Sequence, residues 1–200
     1  MSTLNVDVNH LVTPSIPTGW RRKAFRAPIF LYKNGLGWLL GNRFLLVNHT
    51  GRKTGLPRQA VVEVVDRDPI HNHYLIAAGF GRKTNWYRNL LSTPEMSFQI
   101  GQQRWHASAV PLSGEEAGQV LVDYARRYPH LFPQLTRMIG IVVDAENETA
   151  VRDLGRSGVL PIMRLEPHGS PEQRSLLPGT PVLAAAASII ALIGWKLRRR

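Results

Sequence analysis

Residues 43–67 read RFLLVNHTGRKTGLPRQAVVEVVDR, two apolar and β-branched runs joined by a short basic segment. Runs of this composition, separated by a turn that contains glycine and proline, predict a β-hairpin. We therefore predict one strand over Arg43–Thr50 and a second over Arg58–Arg67.

The turn HTGRKTGLPR between these strands contains Arg52, Lys53 and Arg58 and no acidic residue. A glycine-rich turn exposes backbone N–H groups, which together with cationic side chains can wrap an anion. The turn matches neither the phosphate loop G-x-x-x-x-G-K-[ST] nor the dinucleotide fingerprint G-x-G-x-x-G. From the residues alone it is either an anion site or a solvated, soluble edge.

The pattern downstream is mainly that of an antiparallel sheet. A third strand is predicted over His73–Gly79, and a second GRKT, at residues 81–84, follows it. About six strands that do not alternate with helices predict a mainly β fold with flanking helices (α+β), either a small barrel or a sandwich. The remaining predicted elements are a helix over Asn85–Pro94, a hairpin with its turn at Gly101 and Gln102, helices over Ser113–Tyr128 and Asp144–Leu154, and a strand over Val159–Pro167.

The length of 200 residues suits one domain with extensions, and 25 Lys and Arg against 14 Asp and Glu give a net charge of +11. This charge favours an anionic partner but does not choose one. A nucleic-acid function rests on the charge alone, without a recognition helix or an aromatic RNA motif. The expected organisation is a flexible N-terminus (1–19), a basic aromatic helical segment (20–41), a barrel domain (42–167), a linker (168–180) and a hydrophobic tail with a basic end (181–200).

Two segments point to a membrane surface. The run PVLAAAASIIALIGW, residues 181–195, has no charge, but it is shorter than the roughly 20 residues that span a bilayer. Residues 19–40 interleave aromatic and basic residues, which is typical either of an interfacial helix or of a helix that covers one end of a barrel. The N-terminus lacks the features of a signal peptide, so we expect a location on the cytoplasmic side of the plasma membrane or in the cytoplasm.

Metal and thiol chemistry are not expected. The chain has no cysteine, which excludes disulfides and cysteine-ligated zinc. The tripeptide HNH, residues 71–73, lies in a predicted turn without further ligands. We therefore predict no metal site.

Three motifs together resemble the deazaflavin-dependent nitroreductase family, split β-barrel proteins related to the FMN-binding flavoreductases. They are LLVNHTGRKTGLPRQAVVEVV, LIAAGFGRKTNWYRNLLSTPEMSFQIG and, more weakly, LSGEEAGQVLVDYARRYP. The resemblance implies a split β-barrel of the FMN-binding type that binds coenzyme F420, an 8-hydroxy-5-deazaflavin with an anionic phospholactyl and oligoglutamate tail. FMN is the alternative cofactor.

The resemblance also assigns residues to the site. Arg52, Lys53 and Arg58 match the clamp for the coenzyme tail, in a turn that also contains Gly51, Gly55 and Pro57. Ala77, Ala78 and Gly79 would line the deazaflavin ring, Trp86 would form the pocket wall, and Arg82 and Lys83 would contact the tail or the acceptor. Tyr128 is the candidate for orienting or protonating the acceptor.

The function implied is hydride transfer from reduced F420 to a lipophilic acceptor, such as a quinone or a nitro compound. The sequence YPHLFPQLTRMIG after Tyr128 departs from the family pattern. For this reason a non-catalytic barrel that carries a lipid, haem or flavin stays as the alternative. We expect a small-molecule acceptor, an anionic membrane surface and a homodimer, and no nucleic acid.

Overall fold

A computed structural model describes residues 19–138 and 140–173. Its helices are α1 (Gly19–Lys33), α2 (Asn85–Ser92), α3 (Gly114–Arg127), α4 (Phe132–Met138) and α5 (Glu148–Ser157), with a 3-10 turn at Gly37–Leu40. Its strands are β1 (Phe44–Thr50), β2 (Pro57–Asp68), β3 (His73–Ala77), β4 (Glu95–Ile100), β5 (Gln103–Pro111) and β6 (Ile162–Gln173).

The six strands close into an antiparallel barrel in the order β1-β2-β3-β6-β5-β4. The predicted first hairpin is confirmed, because β1 and β2 pair in register from Phe44↔Glu63 to Thr50↔Pro57. Apolar side chains fill the interior, among them Leu45, Tyr74 and Phe98. The prediction of about six antiparallel strands with flanking helices is thus confirmed, as a barrel and not a sandwich.

Helices α3 and α5 form a layer against the outside of β2, β3 and β6. Leu121 of α3 and Leu154 of α5 join Val65 and Ile162 of the barrel in a second apolar cluster. The helix predicted from Ser113 is confirmed, and it begins with a capping box in which Ser113 and Glu116 satisfy each other's backbone N–H groups. The two helices therefore close one side of the barrel.

Four elements differ from the sequence-based predictions. Strand β3 ends at Ala77, and β6 extends through Gln173 because β5 offers it pairing partners beyond the expected boundary at residue 167. Helix α5 runs from Glu148 to Ser157, since the side chain of Asn147 caps its N-terminus. Helix α4 was not predicted, because seven residues are too short for a clear helical period.

The predicted basic aromatic segment is helical over α1 and then turns through Gly37–Leu40. Among the described residues, no helix is both long enough and apolar enough to cross a membrane. A flexible N-terminus was expected at 1–19 and a hydrophobic tail at 181–200; residues 1–18 and the whole tail lie outside the described residues. Of the linker expected at 168–180, residues 168–173 belong to β6 instead, and the rest lies outside the described residues.

Candidate functional site

The basic turn between β1 and β2 is folded tightly on itself. The N–H of Gly51 donates to the carbonyl of Leu56 at 2.9 Å, and the N–H of Gly55 donates to that of Gly51 at 2.8 Å. Gly55 has a φ of +66°, which suits glycine because it has no Cβ. A Cβ on Gly51 would lie 3.1 Å from Thr54 Oγ1 and 3.2 Å from the carbonyl oxygen of Leu56, so both glycines are needed for this turn.

This turn forms one side of a cleft of about 740 Å³. Helix α2 and the residues before it form a second side, and α1 contributes from a third. The lining comprises Arg26, Lys33, His49, Gly51, Arg52, Lys53, Thr54, Pro57, Arg58, Gln59, Ala60, Phe80, Thr84, Asn85, Trp86 and Asn89.

The cleft is cationic. Five of its lining residues are arginine or lysine, and no Asp or Glu is found among the lining residues that the structure describes. Cations gathered around a concave surface attract and concentrate anions. Phe80 and Trp86 add aromatic surface to the same cleft, so it offers both charge for an anion and apolar area for a ring.

A buried polar network joins the basic turn to α2. The side-chain oxygen of Asn89 accepts from the backbone N–H of Arg52 at 3.2 Å and from its guanidinium at 2.8 Å. The side-chain nitrogen of Asn89 lies 3.1 Å from Nδ1 of His49. Arg52 also reaches Asn85, at 3.3 Å. Arg52 is thereby held at both its backbone and its side chain.

His49 sits at the floor of this network, with only 7 % of its surface exposed. Its pKa is lowered, mainly because burial disfavours the imidazolium ion. A hydrogen bond with the backbone of Thr50 acts in the opposite direction, and the nearby charge of Arg58 lowers the pKa further. His49 is therefore a neutral residue in a cationic cleft.

The structure brings most of the predicted coenzyme residues together. Gly51, Arg52, Lys53, Pro57 and Arg58 from the turn and Trp86 from α2 all line the cleft. Gly55 shapes the turn without lining the cleft. Trp86 also packs against the barrel core, so it serves both as a cleft wall and as part of the packing.

The predicted ring-lining segment lies elsewhere. Ala77 is the last residue of β3 and pairs with Ile162, and Ala78 is fully buried with its N–H on the carbonyl of Pro161. Neither these two residues nor Gly79 lines the cleft. The nearby residue that does is Phe80, which the sequence reasoning did not select.

Arg82, predicted to contact tail or acceptor, packs against the C-terminal end of α5. Its Nε donates to the carbonyl oxygen of Gly158 at 3.2 Å, where the helix dipole favours a cation. A Cβ on Gly158 would collide with the guanidinium group, so the two are fitted closely. Lys83 is exposed and also lies outside the cleft lining.

Tyr128, predicted to orient or protonate the acceptor, ends α3 on the helical layer. Its ring lies 5.1 Å from that of Tyr124, and 43 % of its surface is exposed. It does not belong to the cleft lining. Sequence reasoning missed His49 and Asn89, although Asn89 stands inside the motif NWYRNL that drew attention to Trp86.

His71 and Asn72 of the tripeptide HNH lie in the β2–β3 turn, and His73 is the first residue of β3. Potential ligand atoms of Asp68, His71 and His73 lie within 4.8 Å of one another. Asp68 is already engaged, because Oδ1 accepts from the backbone N–H groups of Ile70 and His71 and Oδ2 lies 2.6 Å from the His71 ring. These contacts account for the arrangement as a closure of the turn, and we assign it no ligand.

The residues present in the cleft fit coenzyme F420. A polyanionic tail requires several cations and no carboxylate, and Arg52, Lys53 and Arg58 meet that requirement. The absence of a side chain at Gly51 leaves room for Thr54, Leu56 and Arg58 of the same turn, which keeps the turn compact beside the cleft. Phe80 and Trp86 provide apolar surface for a flat ring system.

Comparisons with known proteins agree with this picture. A sequence profile of the family described as F420H(2)-dependent quinone reductase matches residues 32–146. An F420H(2)-dependent quinone reductase of Mycobacterium tuberculosis (strain H37Rv) is 31 % identical over 113 residues, which cover 50 % of this chain and 70 % of that protein.

Solved structures with a similar fold have lower sequence identity. An F420-H2 dependent reductase (FDR-A) is 20 % identical, with a TM-score of 0.42 over 62 % of this chain and 94 % of that one. HutZ, the haem storage protein of Vibrio cholerae, is 14 % identical, with a TM-score of 0.44 over 72 % of this chain and 93 % of that one.

Proposed function

Since the chain belongs to the F420H(2)-dependent quinone reductase family, and is therefore an oxidoreductase that uses coenzyme F420, we propose that its acceptor is a quinone. Membership of this family makes the chain an enzyme and removes the non-catalytic carrier as an alternative. The acceptor is the part that family membership leaves to be tested, because both quinones and nitro compounds are lipophilic two-electron acceptors.

The observation that supports the use of this cleft by the coenzyme is its cationic lining, which includes no acid among the described residues. Five cations, with no carboxylate among the described lining residues, suit the anionic coenzyme tail, and the tight turn at Gly51 holds Arg52, Lys53 and Arg58 on one side of the cleft. We propose that Arg52, Lys53 and Arg58 hold the tail and that Trp86 and Phe80 border the ring.

The protein's part in the reaction is to bind, orient and exclude water. When bound, reduced F420 supplies the two electrons as a hydride, and the quinone takes up a further proton to become a quinol. No described lining residue is placed as a dedicated acid, because burial lowers the pKa of His49, the histidine of this lining, and favours its neutral form. Rate then depends on how well the cleft orients ring and acceptor.

Stopped-flow mixing tests the acceptor directly. Protein loaded with reduced F420 is mixed without oxygen with a soluble quinone analogue or with a nitroaromatic compound, and reoxidation is followed by the returning absorbance of F420. We expect a higher kcat/KM for the quinone. A higher value for the nitro compound would reverse the assignment, and tighter binding of FMN than of F420 would count against the cofactor.

We propose further that α1 and the turn after it rest on an anionic membrane surface on its cytoplasmic side. Phe30 and Trp38 are about half exposed, at 53 % and 49 %, and Arg26 and Lys33 belong to the same segment. Exposed aromatics beside cations favour a lipid interface, where a lipophilic quinone is dissolved. The expected homodimer and the expected lack of a nucleic-acid partner stay predictions.

Vesicle flotation tests the membrane proposal. The full chain should float with vesicles that contain anionic lipid and remain below with neutral ones. Replacing both Phe30 and Trp38 by Ser should weaken flotation without changing the affinity for F420 in solution. Flotation equal to that of the unsubstituted chain would show that this segment is not the contact.

A further inference from the structure

We infer that Asn89 is a positioning residue of the coenzyme clamp, which it fixes by joining Arg52 to a neutral His49. The inference rests on the proposed binding of the coenzyme tail in the cleft, and it adds two residues with roles that the family resemblance does not supply. It depends on three contacts within one buried network.

The orientation of the Asn89 carboxamide follows from its partners. Its oxygen accepts two hydrogen bonds from Arg52, at 3.2 Å from the backbone N–H and 2.8 Å from the guanidinium. Both are donors, so the oxygen and not the nitrogen must face Arg52. The amide nitrogen consequently faces His49.

The protonation of His49 follows in turn. The Asn89 nitrogen donates to Nδ1 of His49 at 3.1 Å, and a nitrogen that accepts a hydrogen bond carries no proton. The imidazole is therefore neutral, with its proton on Nε2. In the imidazolium form, Nδ1–H of His49 and the side-chain N–H of Asn89 would be two donors facing each other, and the hydrogen bond between these residues would be lost.

The surroundings of His49 favour the same form. Every charged group that shares the cleft with it is a cation, and no described residue of the lining is a carboxylate that would stabilise an imidazolium. Helix α2 contributes Asn85, Trp86 and Asn89 to the cleft lining, and none of these three residues is charged. The cations are Arg26 and Lys33 from α1, Arg52 and Lys53 from the turn, and Arg58 from β2.

This arrangement gives the turn a rigid attachment. His49 is 7 % exposed and Asn89 is 5 % exposed, so the hydrogen bond between them is shielded from water, and those from Arg52 to Asn89 are partly shielded. The second contact of Arg52, to Asn85, is longer at 3.3 Å and is exposed. Asn89 is therefore the main partner of Arg52. Asn85, an asparagine one helical turn away, is a matched control whose loss should affect coenzyme affinity less.

The test compares Asn89→Leu, Asn89→Asp and Asn85→Ala for affinity to oxidised F420 by fluorescence titration. Asn89→Leu should weaken binding by about tenfold or more, since an ordered guanidinium loses its buried acceptor and must be ordered by the ligand. Asn85→Ala should cost no more than about threefold, because exposed contacts contribute little. Equal losses in the two variants would overturn the inference.

Histidine ¹⁵N NMR on the protein without coenzyme supplies a readout that a merely structural role would not change. The unsubstituted chain should show His49 as the neutral tautomer protonated on Nε2. In Asn89→Asp the carboxylate accepts rather than donates, so the His49 ring should carry a proton on Nδ1, either as the other neutral tautomer or as an imidazolium. A Nδ1-protonated ring in the unsubstituted chain, or an unaltered ring in Asn89→Asp, would overturn the inference.

The NMR measurement also separates this inference from the proposed function. If the unsubstituted chain failed to bind F420, the proposed function would fall, whereas the tautomer of His49 would still decide whether Asn89 donates to it. If F420 bound with equal affinity to all three variants, the positioning role would fall while the coenzyme assignment stood.

Discussion

The cleft and the helical layer on the outside of the barrel differ in whether acidic residues lie among their cations. In the layer formed by α3 and α5, Arg126 meets Glu148 at 2.6 Å, Arg156 meets Glu115 at 2.8 Å, and Arg127 meets Asp66 of β2 at 2.7 Å. In the cleft, five arginine and lysine residues line one surface and no described lining residue is acidic. The two regions use the same side chains for different purposes.

The difference shows where the charge of +11 acts. Paired arginines in the helical layer cancel locally and contribute little field at a distance. Cations gathered without acids repel one another, and a polyanionic ligand relieves that repulsion on binding. The cleft is thus costly for the free protein and favourable for the complex, whereas the helical layer is built for folding.

Charge reversal at Arg58 should give the largest effect. Arg58→Glu replaces attraction for the coenzyme tail by repulsion, which at partly exposed positions amounts to about 2–4 kcal/mol, or a loss of about 30-fold to 1,000-fold in affinity. Arg126→Glu changes the net charge equally but lies in the helical layer, so F420 should bind to it almost unchanged. Fluorescence titration at low and high salt checks both, and similar losses would mean that only net charge matters.

Gly155→Ala tests the helical layer and should leave the cleft alone. A Cβ on Gly155 would lie 2.5 Å from Cα and N of Gly118, because α3 and α5 cross with their backbones nearly touching. The helices must separate to admit the methyl group, at a cost of about 1–3 kcal/mol in the free energy of unfolding. Urea denaturation measures this cost, and the affinity for F420 should stay within about twofold, since that layer makes no cleft contact.

The cleft and the helical layer also show how much of the structure the sequence alone could predict. The strands β1 and β2, their turn and the capping box of α3 are encoded by neighbouring residues, and the structure confirms them. The contact of Asn89 with His49 spans 40 positions and that of Arg82 with Gly158 spans 76. Such pairs are created by closure of the barrel, so no local pattern reveals them.

Long-range topology also explains why the second GRKT, residues 81–84, is placed differently from the first. Its composition is identical to that of the first, and only the first follows a strand that turns directly into its hairpin partner. The second leads into α2, with Arg82 directed to the end of α5 instead of the cleft. The repeated motif therefore occupies two different structural settings, and the predicted contact of Arg82 with the tail or the acceptor stays a prediction.

The pH dependence of stability should separate the two regions. The pKa of His49 is lowered by burial, so as the pH falls below about 6.5 the unfolded chain takes up the proton first. The free energy of unfolding should then fall by at most about 1.4 kcal/mol per pH unit until folded His49 is protonated too. Denaturation series from pH 8 to 4.5 should show this fall in the unsubstituted chain and less of it in His49→Gln.

The carboxylates of the helical layer lose their contribution in a more acidic range. The pKa of Glu116 is lowered by hydrogen bonds from the backbone and side chain of Ser113, and that of Glu115 by its hydrogen bond to Arg156. Their contribution is complete above about pH 4.3 and disappears as the pH falls through the lowered values. A fall above pH 5 that persists in His49→Gln would mean that another group, and not His49, titrates there.

The smallest effect is expected from an ion pair of the helical layer. Arg126 and Glu148 are both about half exposed, at 58 % and 48 % of their side chains, although their atoms lie 2.6 Å apart. A double-mutant cycle with Arg126→Gln and Glu148→Gln should give a coupling free energy of about 0.2–1 kcal/mol, because solvent screens exposed pairs. The cycle is needed because Glu148 also begins α5, where a negative charge favours the helix N-terminus by itself.

A weak coupling here would complete the contrast with the cleft. The pairs of the helical layer would then be individually dispensable, and their joint effect would be to keep that face free of excess positive charge. A coupling above about 2 kcal/mol would instead mean that these pairs stabilise the fold as buried ones do. The absence of acids from the cleft would in that case reflect where stability is needed as much as where the coenzyme binds.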